Sequence, residues 1–265
     1  MIKIYNNGKD FYNDNKNFLL ASPYTEVFFR LDSIYLLETN KKEYAIKAYS
    51  DNKALVCLKK EPYSTLFFGD IELVEEMLTF MINNGYEIYN YLCPTLLGDE
   101  LMNGFNNKGY CFDKSLSMDF MEAKNKYIGK TENVEKAREE DVDEIYSLTL
   151  SFIKDCNLDD VVIKDNIRKS IDNYRIIRID NKIVSMAKMV NNTEKDMKLT
   201  YVYTKDKYRG YGYAKNICGS IVNEIIDMGK IATLNVDQNN PISNHIYSKI
   251  GFKKVFSQAV YVLKK

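Results

Sequence analysis

Lys198 to Glu224, KLTYVYTKDKYRGYGYAKNICGSIVNE, joins three residue patterns in one stretch. Leu199 to Thr204 is a run of β-branched and aromatic residues, suited to a pleated, half-buried strand. Lys205 to Gly212 is basic and punctuated by glycine. Ala214, Ile217, Ile221, Val222 and Ile225 then recur at helical spacing. A strand, a basic glycine turn and a helix together aim backbone N–H groups at an anion. The first N–H groups of a helix have no internal partner and lie at the positive end of its dipole. Gly210 and Gly212 allow a tight turn and a close approach to phosphate.

Outward from this stretch, 265 residues are long for one domain and comfortable for two, and the hydrophobic fraction of 45% is that of a globular protein. Lys+Arg and Asp+Glu both number 37, so no overall field draws the chain to nucleic acid or to an anionic membrane. The five cysteines are scattered with no C-x-x-C pair, and one histidine cannot complete a zinc set, so no metal is expected. Reduced, mostly buried thiols are the expectation. The first ten residues, MIKIYNNGKD, lack the apolar core of a leader, and no run approaches the roughly 20 apolar residues of a membrane span. The expectation is a cytoplasmic protein, with its oligomeric state open.

In chain order, residues 7–39 read as two helices, the second starting at Ser22-Pro23. Tyr44 to Tyr49, Ala54 to Lys59 and Tyr63 to Phe68 read as strands, and Asp70 as the cap of a helix ending at Asn84-Gly85. A strand (Glu87 to Leu92), a helix to Phe105 and a strand (Tyr110 to Phe120) close the first half, and Glu122 to Lys130 reads as a linker or crossing strand. The second half reads as a strand at Val134 to Arg138, a helix from Glu140 to Asp155, and a helix from Asp159 to Ile171. A hairpin turning at Asp180-Asn181 leads into the quoted stretch. Beyond it come a strand (Ile231 to Val236), a helix capped by Asn240-Pro241, and a last strand between Phe252 and Leu263.

The two halves share an outline: strand, proline, helix, glycine, aromatic, strand occurs at Tyr91 to Asp113 and again at Leu234 to Phe256. This suggests tandem domains over residues 1–125 and 131–265, the first a degenerate copy, because Phe68-Gly69-Asp70 passes into its helix with no glycine cradle.

Two motifs carry a resemblance. Tyr208-Arg209-Gly210-Tyr211-Gly212-Tyr213-Ala214 resembles the acyl-CoA loop of the GNAT superfamily of N-acetyltransferases, with Arg209, Gly212 and Ala214 in its three defined places. Asn240-Pro241-Ile242-Ser243-Asn244-His245-Ile246-Tyr247-Ser248-Lys249-Ile250-Gly251-Phe252 resembles that family's second motif. The resemblance covers about residues 131–265 and looks closest to the glycine N-acyltransferase-like branch. Rival glycine-rich folds fit poorly, since there is no Gly-Lys-Ser/Thr and no dinucleotide fingerprint.

The resemblance implies an α/β (α+β) fold with a mixed central sheet flanked by helices, and acetyl-CoA as co-substrate with an amine as acceptor. Backbone N–H groups of Arg209, Gly210, Tyr211, Gly212, Tyr213 and Ala214 would then hold the pyrophosphate, Arg209 and Lys207 adding charge. Tyr201, Val202 and Tyr203 would pair with the pantetheine amides. Asn240 would bond the arm from the opposite wall, with Ser243 or Asn244 beside it, although Asn240 equally suits a plain helix cap. Tyr247 matches the family's general acid, against the plainer alternative of a core aromatic. Transfer would be direct, since no nucleophile constellation is present.

The general base is not apparent. Leu199 to Thr204 has no carboxylate, Glu194 and Asp196 lie upstream, and Glu139, Glu140 and Asp141 equally suit a helix N-terminus. That gap keeps a non-catalytic acyl-CoA-binding or sensing module as an alternative. A third reading, transfer from aminoacyl-tRNA or to cell-wall precursors, sits poorly with an intact CoA loop and zero net charge.

Overall fold

A computed structural model describes residues 1–156, 158 and 161–264. The elements in order are β1 (Ile2–Tyr5), α1 (Gly8–Leu19), α2 (Pro23–Tyr35), β2 (Tyr44–Ser50), β3 (Lys53–Lys59), β4 (Thr65–Gly69), α3 (Val74–Asn83), β5 (Asn90–Pro94), α4 (Thr95–Asn107) and β6 (Phe112–Ala123). They continue as β7 (Glu135–Lys136), α5 (Val142–Asp155), α6 (Lys164–Lys169), β8 (Tyr174–Ile179), β9 (Lys182–Asn191), β10 (Asp196–Thr204), α7 (Tyr213–Asp227), β11 (Ile231–Asp237), α8 (Pro241–Ile250) and β12 (Lys253–Leu263).

The chain forms two compact units, Met1–Asp119 with Phe256–Lys265, and Phe120–Val255. The sequence placed the whole of residues 131–265 in the second domain; the final strand instead packs with the first unit. In the first unit the strand order is β1-β2-β3-β4-β5-β12. Pairing is antiparallel from β1 to β4, parallel between β4 and β5, and antiparallel between β5 and β12. In the second unit the order is β7-β8-β9-β10-β11, antiparallel up to β10 and parallel between β10 and β11, and β6, whose last residues Phe120–Ala123 belong to this unit, is the next strand after β11.

Both units therefore repeat one mixed-sheet pattern. Each takes its outermost strand beside the parallel pair from the other half of the sequence. The sequence marks β6 and β12 as strands but carries nothing about which neighbour they join.

In the first unit the central strands are covered on both faces. Tyr44, Ile46, Cys57 and Phe67 pack with Met77, Leu78, Leu101 and Phe105 of α3 and α4. Ala45, Val56, Leu58 and Leu66 pack with Phe11, Leu19 and Phe29 of α1 and α2. Two covered faces explain why β2 and β3 read as nearly continuous apolar runs. In the second unit α7 and α8 cover one face through Ile217, Ile221, Ile225 and Ile250. Helix α5 covers the other through Val142, Ile145 and Leu148.

Local differences from the sequence reading have local causes. Strand β1, read only as a non-leader start, pairs with β2 from Ile2↔Ala48 to Tyr5↔Ala45. Asp70 does not cap the following helix; its carboxylate accepts from Ala54 N at 2.8 Å. The helix expected from Asp159 to Ile171 is confined to Lys164–Lys169, with residues 159 and 160 outside the described residues. Tyr127, in the expected linker, is strapped to α7: its N–H donates to Asn223 Oδ1 at 2.7 Å, and Asn223 Nδ2 returns a bond at 3.1 Å. The strap needs Gly219, where a Cβ would stand 2.2 Å from the Tyr127 ring.

Candidate functional site

The site is built around the parting of β10 and β11. Parallel pairing joins Asp196–Lys198 to Ile231–Thr233 and, among the described residues, goes no further. Past that point β10 bulges: its register against β9 shifts between Thr200 and Tyr203, and Tyr201 adopts φ +51. A bulge inserts a residue, bends the strand and re-aims the side chains beyond it. Met197 and Leu199 face the α7 core, while Tyr201 and Tyr203 turn toward the α5 side and Val202 toward α7. Beyond Lys198 the β11-side edge of β10 is therefore open, the arrangement in which an extended ligand adds as a strand.

The glycine turn follows directly. Gly210 has φ +86, and Gly212, the residue capping α7, has φ +83. A Cβ at either position would meet nothing within 4 Å, so open space lies before the turn. The N–H groups of Gly210, Tyr211, Gly212, Tyr213 and Ala214 take no backbone acceptor among the described residues, whereas Arg209 N and Asn216 N are paired within the turn and helix. Unpartnered N–H groups at a fifteen-residue helix's start suit an anion. Tyr211 is exposed and its ring stacks on that of Tyr213 at 5.9 Å.

Arg209 is held by side chains and backbone around the turn. Its Nη2 contacts Asp155 at 2.7 Å and Asp206 at 2.9 Å, and its Nε donates to the Thr204 carbonyl at 3.0 Å. The guanidinium also lies 5.6 Å from the Tyr203 ring centroid. Two carboxylates flank it, so it ties the loop to α5. Lys207 is exposed, with its ammonium 5.1 Å from the Tyr208 ring.

On the other wall Asn240 caps α8, its Oδ1 accepting from Ser243 N at 3.0 Å. Asn244 Nδ2 donates to the carbonyls of Asp237 and Asn240, at 2.9 and 2.8 Å, locking the end of β11 to the start of α8. The capping that the sequence allowed for Asn240 is thus realised, and Ser243 and Asn244 serve the same corner.

Tyr247 lies one helical turn on, 8% exposed among Cys218, Ile250 and Phe252, its ring edge-on to Phe252 at 5.9 Å. Burial pushes its phenol well above the usual range, with the Cys218 and Cys156 thiols adding to the shift. Cys156 is itself raised by burial first and by Asp155, against the pull of Arg209. The end of α5, the Arg209 loop and Tyr247 therefore converge. Asp155 and Cys156 belong to this neighbourhood, yet nothing in their spacing signals it, since 54 residues separate Asp155 from Arg209.

The upstream carboxylates have structural partners. Asp196 is buried and accepts from Asn192, Thr193 and Thr233. Asp141 is buried on Arg178, while Glu139 pairs with Arg168 and Glu140 with Arg138. Among the described residues no cluster of three His, Cys, Asp or Glu side chains is arranged to hold a metal, and no helix is long and apolar enough to cross a membrane.

Residues 179–262 match the family described as FR47-like protein. An acetyltransferase of the GNAT family from Colwellia psychrerythraea matches over all of both chains, at 12% identity and TM-score 0.61. The fold is that of the GNAT acyltransferases. A GCN5-related N-acetyltransferase from Sphaerobacter thermophilus shares it at 12% identity and TM-score 0.57, over 83% of this chain and 80% of its own. So does a Drosophila protein, at 10% identity and TM-score 0.57 over 98% of each chain. No curated protein matches. In GNAT terms, the parted β10 and β11, the glycine turn and Tyr247 all fall in the second unit.

Proposed function

We propose that this protein is an acetyl-CoA-dependent N-acetyltransferase that acylates a primary amine by direct attack. The observation that carries this reading is the conjunction of an opened β10 edge with a glycine turn whose N–H groups from Gly210 to Ala214 take no backbone acceptor among the described residues. The turn fits a pyrophosphate, with the N–H groups from Gly210 to Ala214 holding it and Arg209 holding the turn. The edge at Val202 and Tyr203 fits the amides of a pantetheine arm, with Asn240 and its corner as the facing wall.

In the reaction the neutral amine attacks the thioester carbon, a C–N bond forms, and the C–S bond breaks as the tetrahedral intermediate collapses. Tyr247 gives its phenolic proton to the departing thiolate and regains one from the nitrogen of the product. Burial keeps that proton in place beforehand. No carboxylate on β10 serves as base, so the acceptor arrives deprotonated. The first unit is read as a degenerate copy: it repeats the strand pattern, and Gly69 leads to Asp70, whose carboxylate is spent on Ala54.

Acyl-CoA turnover against a panel of amines tests this. The expected result is CoA release that Tyr247→Phe slows about 100-fold while CoA binding persists. Binding without turnover for every amine would instead favour a sensing module.

A further inference from the structure

Aromatic rings line the α5 side of the opened β10. Tyr201, at the bulge, meets the Phe152 ring of α5 edge-on at 5.4 Å. Tyr203 follows, with the Arg209 guanidinium 5.6 Å from its ring centroid. All three rings are half-buried, so aromatic surface stays uncovered where the strands part. Such surface favours a planar apolar guest, which gains both burial and ring contact.

The charges on this side do not suit a cationic guest. Lys188 pairs with Thr200, and its ammonium lies 5.9 Å from the Tyr201 ring centroid and 5.0 Å from that of Tyr174. Burial lowers its proton affinity, and among the described residues no carboxylate offsets that shift. The neighbouring carboxylates have partners. Asp196 acts on Lys198 and accepts from Asn192, Thr193 and Thr233. Glu144 accepts from Lys205 Nζ at 2.9 Å and Ile183 N at 3.0 Å. Asp155 holds Arg209, Asp237 accepts from Asn239 N at 2.8 Å, and Glu122 of β6 pairs with Lys124 at 2.6 Å. A protonated amine would therefore meet a half-buried cation and carboxylates already engaged.

Asn235 offers a neutral contact instead. Leu234 and Val236 face α7, so Asn235 turns to the α5 side, two residues past Thr233, the last β11 residue paired with β10. Its Oδ1 is buried with no hydrogen-bond partner among the described residues. Such an orphan costs the desolvation of a polar group until a donor arrives.

Resting on the acyl-transfer reading, we infer that the acceptor is a weakly basic amine on an aromatic body, an arylamine, which is neutral in water at ordinary pH. Its ring lies against Phe152, Tyr201 and Tyr203, and its nitrogen donates to Asn235 Oδ1. One hydrogen stays on the nitrogen in the amide and keeps that bond. The other leaves as the C–S bond breaks and restores the Tyr247 phenol. An alkylamine must first give up a proton, and an arylamine has none to lose.

Two measurements on the full chain at neutral pH test this. The first needs no acyl-CoA: aniline, benzylamine and cyclohexylamine are each titrated by ligand-observed NMR. Aniline is aromatic and neutral, benzylamine aromatic and charged, cyclohexylamine charged and not aromatic. Aniline should bind best, Phe152→Ala and Tyr201→Leu should each weaken it about tenfold, and Lys188→Gln should narrow its lead over benzylamine. Equal binding of either alkylamine, or no binding of aniline at millimolar concentration, overturns the inference. The second is turnover with acetyl-CoA. Aniline should have the highest kcat/KM, and Asn235→Ala should raise its KM about fivefold with the Kd for CoA unchanged. Turnover that favours cyclohexylamine overturns the arylamine and leaves acyl transfer standing. Aniline binding without turnover of any amine sinks the transfer reading and leaves the aromatic site standing.

Discussion

Arg209 and Asp155 meet at 2.7 Å, Nη2 to Oδ2, joining the glycine turn to the last residue of α5. The contact makes Arg209 a strut between the turn and the helix. Both side chains are about half exposed, at 52% and 41%, so the pair alone contributes up to about 1 kcal/mol. Asp155→Ala should therefore weaken CoA binding by up to about fivefold, measured by calorimetric titration, with the melting temperature almost unchanged. A loss of several orders of magnitude would show that Arg209 itself holds phosphate.

Gly212 holds φ +83 at the first turn of α7. A β-branched residue is strained there by about 1–3 kcal/mol and presents its side chain to the space before the turn. Gly212→Val should abolish CoA binding at concentrations that saturate the parent, while circular dichroism stays native. Gly98→Ala serves as a contrast far from the turn. Its Cβ would stand 2.3 Å from the Tyr261 ring, which stacks on Tyr91 at 4.7 Å. This substitution should destabilise by about 1–3 kcal/mol in denaturant titration and leave CoA affinity intact.

Tyr247→Phe removes one oxygen from a buried position and keeps the ring against Phe252. Loss of a general acid predicts a kcat about 100-fold lower with an unchanged Kd for CoA. A general acid works while protonated, so its activity falls only as pH passes its pKa. Burial raises that pKa above its ordinary value, so no alkaline limb from Tyr247 is expected below about pH 10. A pH–rate profile to that limit checks it.

Asp32, in α2, is 9% exposed. Burial lifts its carboxyl from 3.8 to about 6, against the opposing pull of Lys59 and Lys60. The folded state then holds the proton more tightly than the unfolded chain. This group's contribution is complete below about pH 4 and is lost as the pH rises through about 6. Asp32→Asn should stabilise the protein by about 3 kcal/mol at pH 8 and by almost nothing at pH 4. Urea unfolding at the two pH values measures the difference.

Much of the site was legible because its devices are local. The Gly210 and Gly212 turn, the Asn240-Pro241 helix start and the Asp180-Asn181 hairpin are each set by residues with special backbone or capping behaviour. The structure shows φ +49 and +59 at Asp180 and Asn181, and Asn240 in its cap. The Asp155 contact and the Tyr127 strap on α7 were not legible. Each depends on residues far apart in sequence whose types are ordinary one at a time. Strand β1 was missed for a similar reason: four residues of mixed polarity become a strand by pairing with β2.

By itself the sequence determined most of the segments that are strands and helices, and where a glycine turn stands between a strand and a helix. Periodicity and turn chemistry act over a few residues. The tertiary structure decided which strand closes each sheet pattern, sending β12 beside β5 and β6 beside β11. It also decided that β10 parts from β11 after Lys198, and that Arg209 spends its charge on Asp155. Strand pairing and ion pairing are choices among partners distant along the chain, made by burial and register in the folded whole.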